Sequence, residues 1–209
     1  MSLYTIALFL HVSGAIGAFV SLGVWLFGLA ALRRARRVEQ VRALAWLIII
    51  VSPFMVGSVL LIGLAGFYLA LSTWGLQTPW ITVSLVSFVL IAPIGPFVLD
   101  ARMRTIFQQA AEEREGPLSN ALLTRTHDPL LGTSARTLVA ILLGIVFLMT
   151  TKPPLDTSIL VMVATTFLAL LSSVPFWTAT RKRSRRAPDG VNHGEADPYL
   201  KKTIWTRQW

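Results

Sequence analysis

Apolar and basic stretches alternate along this chain. Leu3–Leu32 is apolar, 33–42 is arginine-rich, 43–99 is apolar, 100–136 mixes Arg with acids, 137–180 is again mostly apolar, and a basic tail runs from residue 181. An α-helix rises about 1.5 Å per residue, so about 20 apolar residues cross roughly 30 Å of hydrocarbon. The first run suffices for one crossing. The 57 uncharged residues of 43–99 suffice for two, divided at 72–80, where Gly75, Gln77 and Pro79 supply turn chemistry. Between Arg136 and Lys152 only 15 uncharged residues remain. A fourth span is still expected there, because both side chains can extend along the helix toward opposite headgroup layers. Asp128-Pro129 reads as an N-cap and first-turn proline, and Pro153-Pro154 ends the helix. The pattern predicts an all-α fold, a polytopic transmembrane helical bundle of five spans at about 3–32, 43–72, 79–99, 133–152 and 156–179. A four-span arrangement, with a re-entrant hairpin in place of spans four and five, would bury Lys152 at several kcal/mol.

Charge orients this bundle. Of 19 Lys and Arg, 18 fall on one side of the five-span arrangement, with Lys152 the exception. Short basic loops stay in the cytoplasm, which places the N-terminus outside and the C-terminus inside. Trp74 and Trp80 flank the outer loop, and Trp46 and Trp177 mark the inner ends of spans two and five. Amphipathic indoles prefer those depths. The bundle occupies 1–180, interrupted at 100–132 by a cytoplasmic loop in which 102–115 prolongs span three as a polar helix until Gly116-Pro117. The tail, 181–209, is expected to be a mobile basic segment in which Tyr199, Trp205 and Trp209 rest on the bilayer surface.

With 54 % hydrophobic and 14 % charged residues, the composition excludes an ordinary soluble domain. The net charge of +9 flanks membrane-length runs, so the expected partners are a bilayer with anionic lipids at the cytoplasmic face, and a membrane protein or second copy, with no nucleic acid. The expected location is a bacterial inner membrane. The first run follows an uncharged Met1-Ser2 and is about twice a normal signal core, so it reads as a retained span. The chain has no cysteine, which excludes disulfides, thiolate metal sites and cysteine nucleophiles. No P-loop, HExxH or paired intramembrane carboxylates occur, so no catalytic residue is assigned.

His11 is the ionisable residue within a span core, and hydrocarbon makes any such group a candidate site. Ser13, Gly14, Gly17, Ala18 and Ser21 form a small-residue surface for close helix packing. His11 either donates a hydrogen bond to a carbonyl of a neighbouring span or contacts a ligand. Proton transfer lacks a partner carboxylate. No metal and no cofactor are assigned; a haem held by His11 with Met149 or Met55 opposite is the alternative. In span three, Ala92-Pro93-Ile94-Gly95-Pro96 must disturb the helix, and freed carbonyls require protein or a wet cavity around them. Ser52-Pro53 lies at similar depth, so the two kinks are expected to face each other and open a pocket. Asp100 is expected to pair with Arg104, one turn on.

Leu10-His11-Val12-Ser13-Gly14-Ala15, the glycines Gly57, Gly63 and Gly66, and Phe147-Leu148-Met149-Thr150-Thr151-Lys152-Pro153 together carry a likeness. Over about 3–155 the chain resembles the bacterial integral-membrane family DUF2269. That resemblance implies a helical bundle and no established activity. A more distant similarity, to copper-resistance and haem-pathway membrane proteins with an early His-containing span, singles out His11. The functional expectation is a non-enzymatic membrane component that binds a small apolar or amphipathic ligand, or a partner protein. His11, Ser13, Pro93, Gly95 and Pro96 form its candidate site. The alternatives are a transporter or channel subunit using kinked spans two and three, and a haem- or redox-linked protein with His11 as ligand.

Overall fold

Ser2 starts the first helix: its hydroxyl oxygen accepts from the Thr5 N–H at 3.2 Å and so satisfies one of the donors that every helix start leaves open. The computed structural model describes residues 2–186. The expectations for Tyr199, Trp205, Trp209 and the tail beyond 186, and for the side chain of Trp177, lie outside the described residues. Helix α1 covers Leu3–Leu32. Helix α2 (Val38–Leu69) widens into a π-helical turn at Ala70–Trp74. Gly75, at φ 79°, ends it, and Pro79 occupies the first turn of α3 (Pro79–Ile91). A second π-helical turn, Gly95–Asp100, leads into α4 (Ala101–Glu112), followed by α5 (Asn120–Thr126), α6 (Pro129–Thr151) and α7 (Leu155–Arg186).

Among the described residues, five helical segments are long and apolar enough to cross a membrane: Leu3–Leu32, Val38–Trp74, Pro79–Glu112, Asn120–Thr151 and Leu155–Ser173. No strand occurs among the described residues; an isolated antiparallel bridge joins Arg37 and Pro117. The described residues are all-helical, as the lengths of the apolar runs predict.

Helices α1 and α2 form the closest pair, and α6 packs on α7, α3 and α1. Small residues let α1 and α2 approach, since van der Waals contact drives association in lipid. A Cβ at Gly28 would lie 2.9 Å from Ile48, and one at Gly17 would collide with the Ser58 hydroxyl. Leu22, Trp25, Leu32, Ile48, Leu99 and Leu131 are fully buried along this seam and its neighbours. Phe27 and Phe97, 80 % and 77 % exposed, show the converse: in a bilayer the outward surface meets acyl chains, so exposure carries no hydrophobic penalty.

At one end of the bundle the arginine-rich 33–42 segment is tied to the charge-balanced loop after α4. Val38 N–H donates to Gly116 O at 3.0 Å and Leu118 N–H to Arg36 O at 3.3 Å. Arg42 reaches Ala110 O (3.0 Å) and Glu113 O (3.3 Å), satisfying carbonyls that the end of α4 leaves open. Polar capping therefore stops α4 at Glu112, ahead of the Gly116-Pro117 stop read from the sequence. Asp128 caps α6 as expected, its Oδ1 accepting from Leu130 N–H at 2.9 Å. Its other oxygen pairs with Arg102, and its carbonyl accepts from Arg33 at 3.3 Å. Burial and the nearby Arg136 guanidinium lower the Arg33 pKa from its ordinary value, opposed by Asp128.

At the other end α6 terminates on Lys152, which takes the left-handed conformation (φ 49°) with its N–H on Leu148 O at 2.9 Å. Its ammonium lies 4.3 Å from the Trp74 ring centre and 5.9 Å from that of Trp80. The two indoles meet edge to face at 5.6 Å.

Candidate functional site: two cavities between the helices

His11 sits about two turns into α1, and its imidazole finds its partner on another helix. Its Nδ1 lies 3.0 Å from Ile62 O of α2. A carbonyl only accepts, so Nδ1 carries the hydrogen. In the helix the same carbonyl also accepts from Gly66 N–H, one turn on, so residue 66 overhangs the ring. A Cβ there would lie 2.8 Å from His11 Cε1 and 2.9 Å from Nδ1. Gly66 is therefore the seat of the imidazole.

His11 lines a cavity of about 370 Å³ that also touches Ser84 and Phe88 of α3 and Met149 of α6. Most of its wall is apolar. Ser84 is 1 % exposed and its hydroxyl has no hydrogen-bond partner among the described residues. His11 Nε2 has none there either. The Ser84 oxygen is itself covered, so the cavity sets one imidazole on an oily wall, the composition typical of small-molecule sites.

A second cavity of about 200 Å³ lies between Ser52 of α2 and the interrupted stretch after α3. Pro53 and Pro96 each lack the N–H that a helix would use, and Gly95–Asp100 absorbs the interruption as a wide turn. Ser52, Gly95, Pro96 and Asp100 line this space, together with Met55 and Leu138. Ser52 Oγ donates to Asp100 Oδ2. Asp100 therefore binds across the helix interface; Arg104, expected as its partner, is exposed and makes no ion pair with it. The hydroxyl sits beside the carboxylate in the packed interface, while the longer arginine side chain is better solvated outside.

The five sequence-derived site residues thus separate. His11 lines the larger cavity, Gly95 and Pro96 the smaller, and Ser13 and Pro93 neither of the two. Ala18, Phe88 and Leu142 line both, forming a shared wall. Sequence reasoning missed Ser84 and Phe88. Ser84 stands on α3 between Thr82 and Ser87, and nothing in the chain distinguishes these hydroxyls; Thr82 turns out to bond Thr78 O at 3.2 Å. Among the described residues no group of three His, Cys, Asp or Glu could hold a metal ion.

Five apolar membrane-length helices and an apolar, cavity-bearing interior define a multi-pass α-helical integral membrane protein, which sits in a lipid bilayer. Residues 5–153 match the model of a family described as predicted integral membrane protein (DUF2269). The chain belongs to that family. No curated protein and no solved structure matches it.

Proposed function

We propose that this protein is a membrane-embedded binding component whose larger cavity holds a small apolar molecule carrying one hydrogen-bond donor. One observation supports the reading above others: His11 lines that cavity with Nδ1 already committed to Ile62 O. In the neutral ring Nε2 is then an acceptor, and an alcohol, phenol or similar hydroxyl is its complement. In this reading the arginine-rich end faces the cytoplasm of a bacterial inner membrane, as the positive-inside rule requires.

The test compares 4-ethylphenol with ethylbenzene, nearly the same shape with and without a hydroxyl, by thermal stabilisation of the detergent-purified chain. The phenol should bind about fivefold or more tightly, the effect of one hydrogen bond of about 1 kcal/mol, and His11→Ala should abolish the difference. Equal stabilisation by both compounds would overturn the reading, and a Soret band in the purified protein would replace it with haem ligation.

The shared wall of Ala18, Phe88 and Leu142 supports a second reading, a transport pathway through both cavities along the kinked helices. Because the chain has no cysteine, a single cysteine at position 95 is a clean probe. Modification by a water-soluble maleimide supports the pathway, and full protection removes it.

A further inference from the structure

Asp100 closes the π-helical turn Gly95–Asp100 and lines the smaller cavity. Its Oδ2 accepts from Ser52, a residue only 3 % exposed. No partner contacts Oδ1 among the described residues. The chain carries 19 Lys and Arg, yet none of those described pairs with this carboxylate. Arg102, two residues on, is committed to Asp128 instead. Above Asp100 the cavity wall is apolar: Met55, Val59, Ile91, Leu138 and Leu142.

Asp100 is partly exposed and borders this apolar cavity, where a charge without a counterion is costly. One hydroxyl compensates it in part. A hard divalent cation needs about six oxygen ligands, and the cavity offers one carboxylate and one hydroxyl. An ammonium needs a single charged acceptor, and its apolar body would fill the space above. Charge and shape therefore select the same occupant.

We propose that the Ser52–Asp100 cavity is a binding site for a small amphiphilic amine, a protonated ammonium carrying an apolar body of about hexyl or benzyl size. The ammonium donates to Asp100, and the body lies against Met55, Val59 and Leu138. The site stands apart from His11 and needs no ligand in the larger cavity.

The experiment uses the full chain in phosphatidylcholine nanodiscs, where no anionic lipid gathers amines, with empty nanodiscs subtracted. Hexylamine, protonated at pH 7 as a lysine is, is titrated calorimetrically beside 1-hexanol and hexanoate. Hexylammonium should bind at least about tenfold tighter than hexanol, the range of a hydrogen bond to a charged group, and hexanoate should not bind. In Asp100→Asn, which keeps an acceptor for Ser52, the preference for the amine should vanish, while His11→Ala should leave it intact. Equal binding of amine and alcohol by the wild-type chain overturns the proposal, as does an amine preference that survives Asp100→Asn. If that variant does not fold, the wild-type ranking of amine, alcohol and carboxylate decides alone.

Discussion

Replacing Gly66 by Ala should dislodge His11, and a double-mutant cycle can measure it. The added methyl would lie 2.8 Å from Cε1 and 2.9 Å from Nδ1 of the imidazole, well inside a normal carbon contact of about 3.5 Å. The ring cannot retreat while it stays bonded to Ile62 O at 3.0 Å, because that carbonyl lies one turn below residue 66 on the same helix. Overpacking of this kind costs about 1–3 kcal/mol, and loss of a cross-helix hydrogen bond in a membrane about 0.6 kcal/mol. Alanine offsets about 1 kcal/mol of this through its better helix propensity. The net expectation for Gly66→Ala is destabilisation by about 1–2 kcal/mol. In a His11→Ala background no ring remains to strike, so the same substitution should become stabilising by up to about 1 kcal/mol. The coupling between the two sites is then about 2 kcal/mol, far above the roughly 0.5 kcal/mol scatter of independent sites. Equilibrium unfolding in mixed micelles, followed by tryptophan fluorescence, reads all four corners of the cycle. Additivity within about 0.5 kcal/mol would refute the seating of His11 on Gly66.

Substitutions at three further positions probe the ends of the bundle. Lys152→Ala should destabilise by about 0.5–1 kcal/mol through loss of the cation–π contact with Trp74, whereas Lys152→Gly also relieves the left-handed backbone, worth about 1 kcal/mol, and should unfold near the wild-type midpoint; a midpoint for Gly at or below that for Ala contradicts this. Asp128→Ala removes the α6 cap and the Arg102 partner, and should lower stability by about 1–2 kcal/mol, seen as a lower denaturation midpoint; an unchanged midpoint would mean that neither contact matters. Arg42→Ala frees the Ala110 and Glu113 carbonyls and should speed tryptic cleavage at Arg114 severalfold, with little change in global unfolding; equal cleavage rates would show that α4 holds its end without Arg42.

Much of the architecture is visible in the chain because hydrocarbon leaves few alternatives. A long uncharged run must be helix, and Gly75 and Pro79 could end one helix and start the next wherever the register fell. Asp128-Pro129 was readable for the same local reason. The site was less readable. The carbonyl that accepts from His11 belongs to Ile62, 51 residues away, and a backbone oxygen has no signature in sequence. Asp100 took a hydroxyl 48 residues away in preference to an arginine one turn on, a choice set by which side chain is packed beside it. The break at Gly95–Pro96 was legible from its prolines, whereas α2 runs on as helix through Pro53; Ser52 and Gly95 line one cavity. The division into two cavities depends on Phe88, whose ring edge rests over Gly63, and an aromatic in an apolar helix announces nothing by itself.

The stitch between these two loops has a mechanical consequence. With Val38 and Leu118 bonded to the opposite loop and Arg42 gripping the far end of α4, that end of the hairpin is clamped. The start of α3 is anchored too, by Trp80 beneath Trp74 and Lys152. Any flexing of the α3–α4 rod is therefore confined to the proline-broken interval between its two fixed ends. Such a rod bows in the middle rather than swinging at its tip, so its motion alters the width of the chamber around Asp100 and leaves the loops where they are.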